Sequence, residues 1–302
     1  MDHFQIEPLN PIFFRLGTLT VHWYGFLILI GIGLGIVLAS REGIKKGFDK
    51  DLFWDLATFG VPVAILGTRI YYVLFNLDFY LRHPGRIFAV WEGGLAIHGG
   101  VIAAGLFGWW CLRKKKLPFF PIFDIVAMSF FVGQIIGRFG NFMNQEAYGR
   151  VIYGGSLDVQ RSFLESLFIP DFIVDNMFIN GNYHHPTFLY EALWNLVGLL
   201  LVIFVLLKST KILLGEIAAF YAVWYSVGRF FIEALRTDSL MIGPLMQAQV
   251  ISIVTVVVVL FVVASRRMKQ VNMVTYHDYD FAAINEQKQR EKREKRKAKR
   301  KK

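Results

Sequence analysis

Seven stretches of this 302-residue chain stay apolar for about twenty residues at a time. They run Thr18–Ala39, Leu52–Phe75, Gly93–Leu112, Phe119–Phe139, Thr187–Leu207, Leu213–Leu235 and Leu245–Ala264. Inside a bilayer no water can satisfy a backbone N–H or C=O, so only helices or closed barrels cross it. About twenty residues is the length at which a helix spans the hydrocarbon layer. The chain is therefore expected to be an all-α integral membrane protein with seven transmembrane helices. Composition agrees: 55% of residues are hydrophobic, only 19% are charged, and the mean hydropathy is +0.44. A soluble protein of that composition would lack the polar surface to cover itself.

Loop charge sets the orientation. Arg41, Lys45, Lys46, Lys50, Arg113 to Lys116, Lys208, Lys211, Arg266, Arg267 and Lys269 fall on one side. The other side holds Arg15, Arg82, Arg86, Arg150, Arg161 and Arg236, which is six against thirteen. The richer side is cytoplasmic by the positive-inside rule, which places the N-terminus outside and the C-terminus inside. The leader before the first span carries Asp2 and Glu7, with no basic region and no A-x-A site following. It reads as a retained span and not as a cleaved signal. Residues 1–270 form the expected seven-span domain, with about 142–186 as a small extracytoplasmic cap. Residues 271–302 form a basic cytoplasmic tail.

The formal charge of +10 belongs almost wholly to the last part of that tail, Lys288 to Lys302, where eleven Lys/Arg and two Glu give a net of +9. The rest of the chain is close to neutral, which gives no support to nucleic-acid binding. The tail reads as a solvated charge run or frayed helix that would feel the anionic lipid of the cytoplasmic leaflet. Cys111 is the only cysteine, so neither an intrachain disulfide nor a CxxC site can form.

Chemistry concentrates where the fourth span ends. The run from Ile122 to Ile136 closes not on more apolar residues but on Gly137-Arg138-Phe139-Gly140-Asn141-Phe142-Met143-Asn144-Gln145-Glu146. An arginine at membrane depth costs about 2.5–3.5 kcal/mol on insertion scales, so it marks a site when it faces protein or water. A lone arginine there could simply snorkel. Around this one, Gly137 and Gly140 permit close approach, and Asn141 and Asn144 supply neutral donors and acceptors. On the expected topology four other segments bring polar groups to the same leaflet. They are Tyr24 in His22-Trp23-Tyr24-Gly25, His98 in Ala96-Ile97-His98-Gly99-Gly100, the run His184-His185-Pro186 to Glu191, and Gly228-Arg229 to Glu233 and Arg236. The cytoplasmic ends are expected to hold little beyond solvated lysines and arginines.

Each residue also has a plainer role. Tyr24 could be an interfacial belt residue, and Glu233 could pair with Arg229 and Arg236 along one helix. His98 could be a packing histidine, although a basic imidazole among small residues suits a proton acceptor better. His184, His185 and Glu191 match no standard metal spacing. Arg138 and Arg229 from different helices suit a phosphate, which takes bidentate guanidinium donors. At headgroup depth that phosphate belongs to a phospholipid. An anion or lipid transporter is the competing class. It would need polar groups through the whole bilayer or broken helices at its midplane, whereas Leu199–Leu207 and Val254–Val263 are plain.

These motifs resemble those of the bacterial phosphatidylglycerol–prolipoprotein diacylglyceryl transferases. The likeness lies in Gly137 to Glu146 with Gly149, Trp23-Tyr24-Gly25 and His98-Gly99-Gly100. It extends to His185-Pro186 with Leu189-Tyr190-Glu191, and to Gly228-Arg229-Phe230 with Glu233, Arg236 and Asp238. Ala103 and Phe188 depart from the usual pattern, and the basic tail lies outside it. The resemblance implies a multi-pass protein of the bacterial plasma membrane. It would move the sn-1,2-diacylglyceryl group of phosphatidylglycerol onto the lipobox cysteine of a prolipoprotein. A thioether and glycerol phosphate would result, the first step of lipoprotein maturation, and no metal or organic cofactor is implied. Tyr24, His98, Arg138, Asn141, Glu146 and Arg229 would be catalytic. Arg138, Asn141, Asn144, Gly149, Arg229 and Glu233 would bind phosphatidylglycerol. His98 would assist the thiol, whose free pKa is near 8.5, and the arginines would stabilise the departing phosphate. Cys111 lies at the wrong end of its span to be the nucleophile.

Overall fold

The computed structural model describes residues 9–17, 19–89, 93–237 and 239–300. Asp2, Glu7, Trp91, Glu92, Asp238, Lys301 and Lys302 lie outside the described residues. The chain is mostly helical and divides into two compact units, Met1–Leu38 with Asp124–Tyr279, and Ala39–Phe123 with Asp280–Lys302.

The first unit opens with a hairpin in place of the expected start of a span. Strands β1 (Ile12–Leu16) and β2 (Leu19–His22) pair antiparallel, and Gly17 supplies a φ of 60° for the turn. Helix α1 therefore begins at Trp23 and runs to Lys45. Its Gly31 and Gly35 lie against Gly133 and Ser129 of α5 (Phe119–Met143), where a Cβ would come within 3.4 Å and 3.2 Å of their atoms. Ser129 Oγ donates to the Gly35 carbonyl at 2.8 Å. Small residues four apart, with a hydroxyl bridge between helices, are how apolar helices pack where burial alone gives no driving force.

Helix α8 (Thr187–Leu201) continues as a π-helical turn over Val202–Leu206 and packs on α9 (Glu216–Glu233), which packs in turn on α10 (Gln247–Met268). Trp194 and Trp224 stack at 4.4 Å and exchange indole hydrogen bonds: each Nε1–H donates to the other's carbonyl, at 2.8 and 2.9 Å. Each indole also covers the glycine one turn along the facing helix, Gly228 or Gly198. This reciprocal lock fixes the register of α8 against α9, and with it the heights of Glu191 and Arg229.

The starts of α5 and α9 hold more than solvated cations, unlike the expectation. Asp124 is fully buried and accepts N–H bonds from Gly215 (2.6 Å) and Ala218 (2.9 Å), capping α9 from a neighbouring helix. Glu216 meets Arg267 at 2.5 and 2.6 Å. A helix N-terminus leaves orphan donors, and in a buried setting a side chain must satisfy them. Residues 274–276 return to pair with 212–214.

Between α5 and α8 the chain folds into an insertion with its own core. It contains α6 (Leu157–Ser166), α7 (Asp171–Asn176) and the hairpin β3 (Phe178–Ile179) and β4 (Asn182–Tyr183). Asn180-Gly181 turns the hairpin with φ of 52° and 83°, as a two-residue connection requires. Ile152, Leu164, Val174, Met177 and Tyr183 are buried together with Phe142 of α5 and Phe188 of α8.

In the second unit α2 (Leu52–Phe75) packs along α4 (Ile97–Lys115), with short helix α3 (Leu77–Arg82) between them in sequence. The tail is a helix, α11 (Phe281–Arg300), with an ordered start. Asp280 Oδ1 accepts from Ala282 and Ala283 N, while Phe281 stacks on Phe48 at 4.8 Å.

Among the described residues five helices are long and apolar enough to cross a membrane: α1, α2, α5, α8 with its π-turn, and α10. The other two expected spans are also helices, but more polar. Helix α4 is diluted by His98, glycines and a basic end, and α9 carries Glu216, Arg229 and Glu233.

Candidate active site

Three arginines of the first unit converge on one buried carboxylate. Arg138 from the last turns of α5 forms a short ion pair with Glu191 of α8. Arg229 of α9 reaches the same carboxylate at 3.3 Å, and Arg236, just beyond α9, comes to 3.9 Å. Glu191 is 4% exposed; the three arginine side chains are between 11% and 19% exposed. Arg229 also lies 2.6 Å from Glu233, one turn along its own helix. Three guanidiniums and two buried carboxylates thus meet in surroundings that screen charge poorly.

The α5 motif wraps one edge of the cluster. Asn141, one turn after Arg138, accepts from Arg138 Nη1 at 3.4 Å and donates from Nδ2 to Glu146 at 2.9 Å. Asn144 Nδ2 also reaches Glu146, at 3.5 Å. Glu146 can fold back because the helix has ended: Gln145 and Ala147 take φ of 47° and 56°, and Glu146 N bonds the Asn141 carbonyl. Gly140 is where Tyr24 arrives. A Cβ there would stand 2.6 Å from the Tyr24 ring, so only glycine lets α1 place that phenol beside the motif.

Gly149 serves the backbone. Its N–H donates to His185 O at 2.9 Å, its carbonyl meets His184 Nδ1 at 2.7 Å, and a Cβ would collide with His185. Arg150 N then bonds Leu235 O at 2.6 Å, which ties the insertion to the chain just before Arg236. His184 is engaged by that carbonyl. His185 lies outside the apolar helices, 3.3 Å from the Tyr190 hydroxyl, and burial, then the neighbouring His184, holds its pKa below the ordinary value.

His98 belongs to the second unit. It occupies the first turn of α4, is exposed there, and lies 6.2 Å from the Tyr71 ring. Two residues carry more of the geometry than the sequence reading gave them. Glu191 is the centre of the cluster, and its signal was a carboxylate at the start of an otherwise apolar helix. Arg69 of α2 is buried within the second unit, and an arginine seven residues from the end of an apolar run was its signal.

The sequence pattern of the family described as prolipoprotein diacylglyceryl transferase matches residues 11–265. A phosphatidylglycerol–prolipoprotein diacylglyceryl transferase of Bacillus licheniformis is 50% identical over 265 residues, covering 87% of this chain and 95% of that protein. Proteins of the same name from Bacillus velezensis and Halalkalibacterium halodurans are 48% and 46% identical; they cover 90% and 91% of this chain, and 98% and 92% of their own lengths. Agreement of that extent, running through α5, α8 and α9, leaves no room for a chance likeness of motifs: the chain belongs to the prolipoprotein diacylglyceryl transferase family.

Proposed function

We propose that this protein transfers the diacylglyceryl group of phosphatidylglycerol to the lipobox cysteine of prolipoproteins. The observation that carries the reading is the convergence of Arg138, Arg229 and Arg236 on Glu191. A phosphodiester headgroup carries one negative charge and takes bidentate guanidinium donors of the kind gathered there. As the thiolate sulfur bonds to the glycerol carbon, the carbon–oxygen bond to phosphate breaks and glycerol phosphate leaves with a second negative charge. Guanidiniums already held in place by Glu191 and Glu233 stabilise that charge without reorganising. His98 takes the thiol proton, since the thiolate is the reactive form. Asn141, Asn144 and Glu146 hold Arg138 and offer partners to the headgroup hydroxyls, Tyr24 supports that edge, and Gly149 keeps the backbone tight beneath it.

The same reading places the protein in the bacterial plasma membrane with seven spans, N-terminus outside and C-terminus inside. Residues 1–270 form the catalytic domain, about 142–186 the extracytoplasmic cap, and 271–302 the cytoplasmic tail. The thirteen-to-six distribution of loop cations supports that orientation. The relatives' names speak for transfer and not for an anion or lipid transporter.

The test is passage of labelled diacylglyceryl from phosphatidylglycerol to a lipobox peptide in detergent, with lipid binding measured alongside. His98→Ala should lose about 10²–10⁴-fold in rate while lipid binding survives, and His98→Gln should be nearly as slow because it has no useful base. A wild-type protein that forms no thioether yet moves anions across liposomes would overturn the enzyme reading. Full activity in His98→Gln would overturn only the base assignment.

A further inference from the structure

We propose that Arg69 is a positioning residue for the reaction, holding in place the segment that leads into His98. Arg69 lies within an apolar helix, yet it is 5% exposed, and among the described residues its hydrogen bonds all go to carbonyls of residues 86–94. Its Nε donates to Ile87 O at 2.9 Å and Nη2 to Arg86 O at 2.6 Å. Nη1 donates to Gly93 O at 2.6 Å and to Gly94 O at 3.0 Å. The Tyr80 ring lies 5.2 Å from the guanidinium carbon. Among the described residues no carboxylate shares these contacts; carbonyl dipoles meet the charge. One planar fork therefore gathers residues 86–87 and residues 93–94 onto the same point of α2. Lysine, with a single ammonium, could not span both.

The next residues continue the same seat. Gly94 has φ of 69°, and a Cβ on it would lie 2.7 Å from Arg69 Nη1, so its backbone is pressed against the guanidinium. Ala96 N donates to Thr68 O at 3.1 Å. A Cβ on Gly99 would come to 2.2 Å from the Gly67 carbonyl, so α4 starts in direct backbone contact with α2. His98 of α4 stands between these two anchors, its ring 6.2 Å from that of Tyr71 on α2. Residues 67–72 of α2 thus form a bed for residues 93–99. Arg69 is the only member of that bed that also reaches back to residues 86–87, among the described residues. An imidazole that must meet a thiol within hydrogen-bond reach needs its backbone fixed to a fraction of an ångström. The inference rests on the reading of His98 as the thiol base.

The experiment uses the full chain in detergent, with Arg69→Lys and Arg69→Gln beside wild type. Hydrogen–deuterium exchange of peptides covering residues 84–98 is read first, since it needs no activity. Uptake there should rise in both variants while α5, α8 and α9 stay protected. Turnover should fall by about 10²-fold, the scale of a small misplacement of a reacting group, with KM for phosphatidylglycerol unchanged. In a double-mutant cycle, Arg69→Lys combined with His98→Gln should be no slower than the slower single variant, because both remove one function. Unchanged uptake, a raised KM with intact kcat, or multiplicative losses in the cycle would each overturn the proposal. If His98→Gln alone is fully active, the base reading falls, and exchange still decides whether Arg69 holds the segment.

Discussion

At the scale of the residue, the arginine cluster differs from a bare phosphate clamp in one respect: its anion is partly built in. Glu191 holds Arg138 and Arg229 before any substrate arrives, so both side chains are ordered in advance and lose little entropy on binding. Arg138→Ala and Arg229→Ala should each abolish transfer. Arg→Lys at either position should remain poor, because an ammonium cannot serve Glu191 and a phosphate at once. The measurement is thioether formation with lipid binding, and wild-type transfer by either lysine variant would refute the forked role. Glu191→Gln probes the other half. Removing the carboxylate takes away the anion that Arg138, Arg229 and Arg236 share, and breaking a buried pair costs about 3–5 kcal/mol. The variant should unfold at a distinctly lower temperature and transfer poorly even below it; an unchanged melting temperature would show that Glu191 does not organise the arginines. The sequence made Arg138 and Arg229 legible because charge inside an apolar run is conspicuous. It could not reveal which carboxylate they share, because Arg138 and Glu191 lie on helices separated by a whole insertion.

At the scale of the element, helix existence was plain in the sequence and helix ends were not. The expected span from Thr18 starts as a hairpin because Ile12–Leu16 and Leu19–His22 can pair around Gly17, and an apolar run does not distinguish strand from helix. The insertion shows the opposite case. Of the short apolar stretch Phe168-Ile169, Ile169 joins a common core with Leu164, Val174 and Tyr183 while Phe168 stays exposed. Arg161 helps close it, reaching Asp175 at 2.6 Å and the Tyr183 hydroxyl at 3.1 Å, and these bonds hold its pKa above the ordinary value. His185 adds a pH dependence at the junction with α8, packed edge-on against Phe163 of α6. Burial lowers its folded pKa, so the unfolded form takes a proton first as pH falls. Its contribution is therefore present above about pH 6.5 and is lost as pH drops through the folded value. Limited proteolysis of the insertion should accelerate between pH 7.5 and pH 5.5, and His185→Phe should flatten that response. An equal response in both proteins would remove His185 from the account.

At the scale of the whole molecule, the sequence carries its topology in its loops more clearly than in its spans. Among the described residues five helices meet the length and apolarity of a crossing segment outright; α4 and α9 carry more polar residues. That shortfall is what a site requires, since a helix that holds Arg229 and Glu233 cannot also be uniformly apolar. Loop cations supply the missing constraint. With α4 and α9 counted as spans, all thirteen cations of the richer set fall on one side, and the strongly basic α11 joins them. If α4 failed to cross, Arg113 to Lys116 would change sides, and if α9 failed, Arg266, Arg267 and Lys269 would; either way the charge asymmetry that orients the chain would weaken. The proposed arrangement of seven crossings with N-terminus outside rests on that distribution. A reporter active only in the cytoplasm, fused after Lys302, should be active, and one fused after Gly155 should be silent. Deleting Lys288 to Lys302 should leave transfer largely intact, because the charge it removes lies outside the matched residues 11–265 and across the membrane from the arginines in this arrangement. A cytoplasmic signal from the Gly155 fusion would sink the orientation, and loss of transfer on removing the tail would show that the basic helix takes part in the reaction.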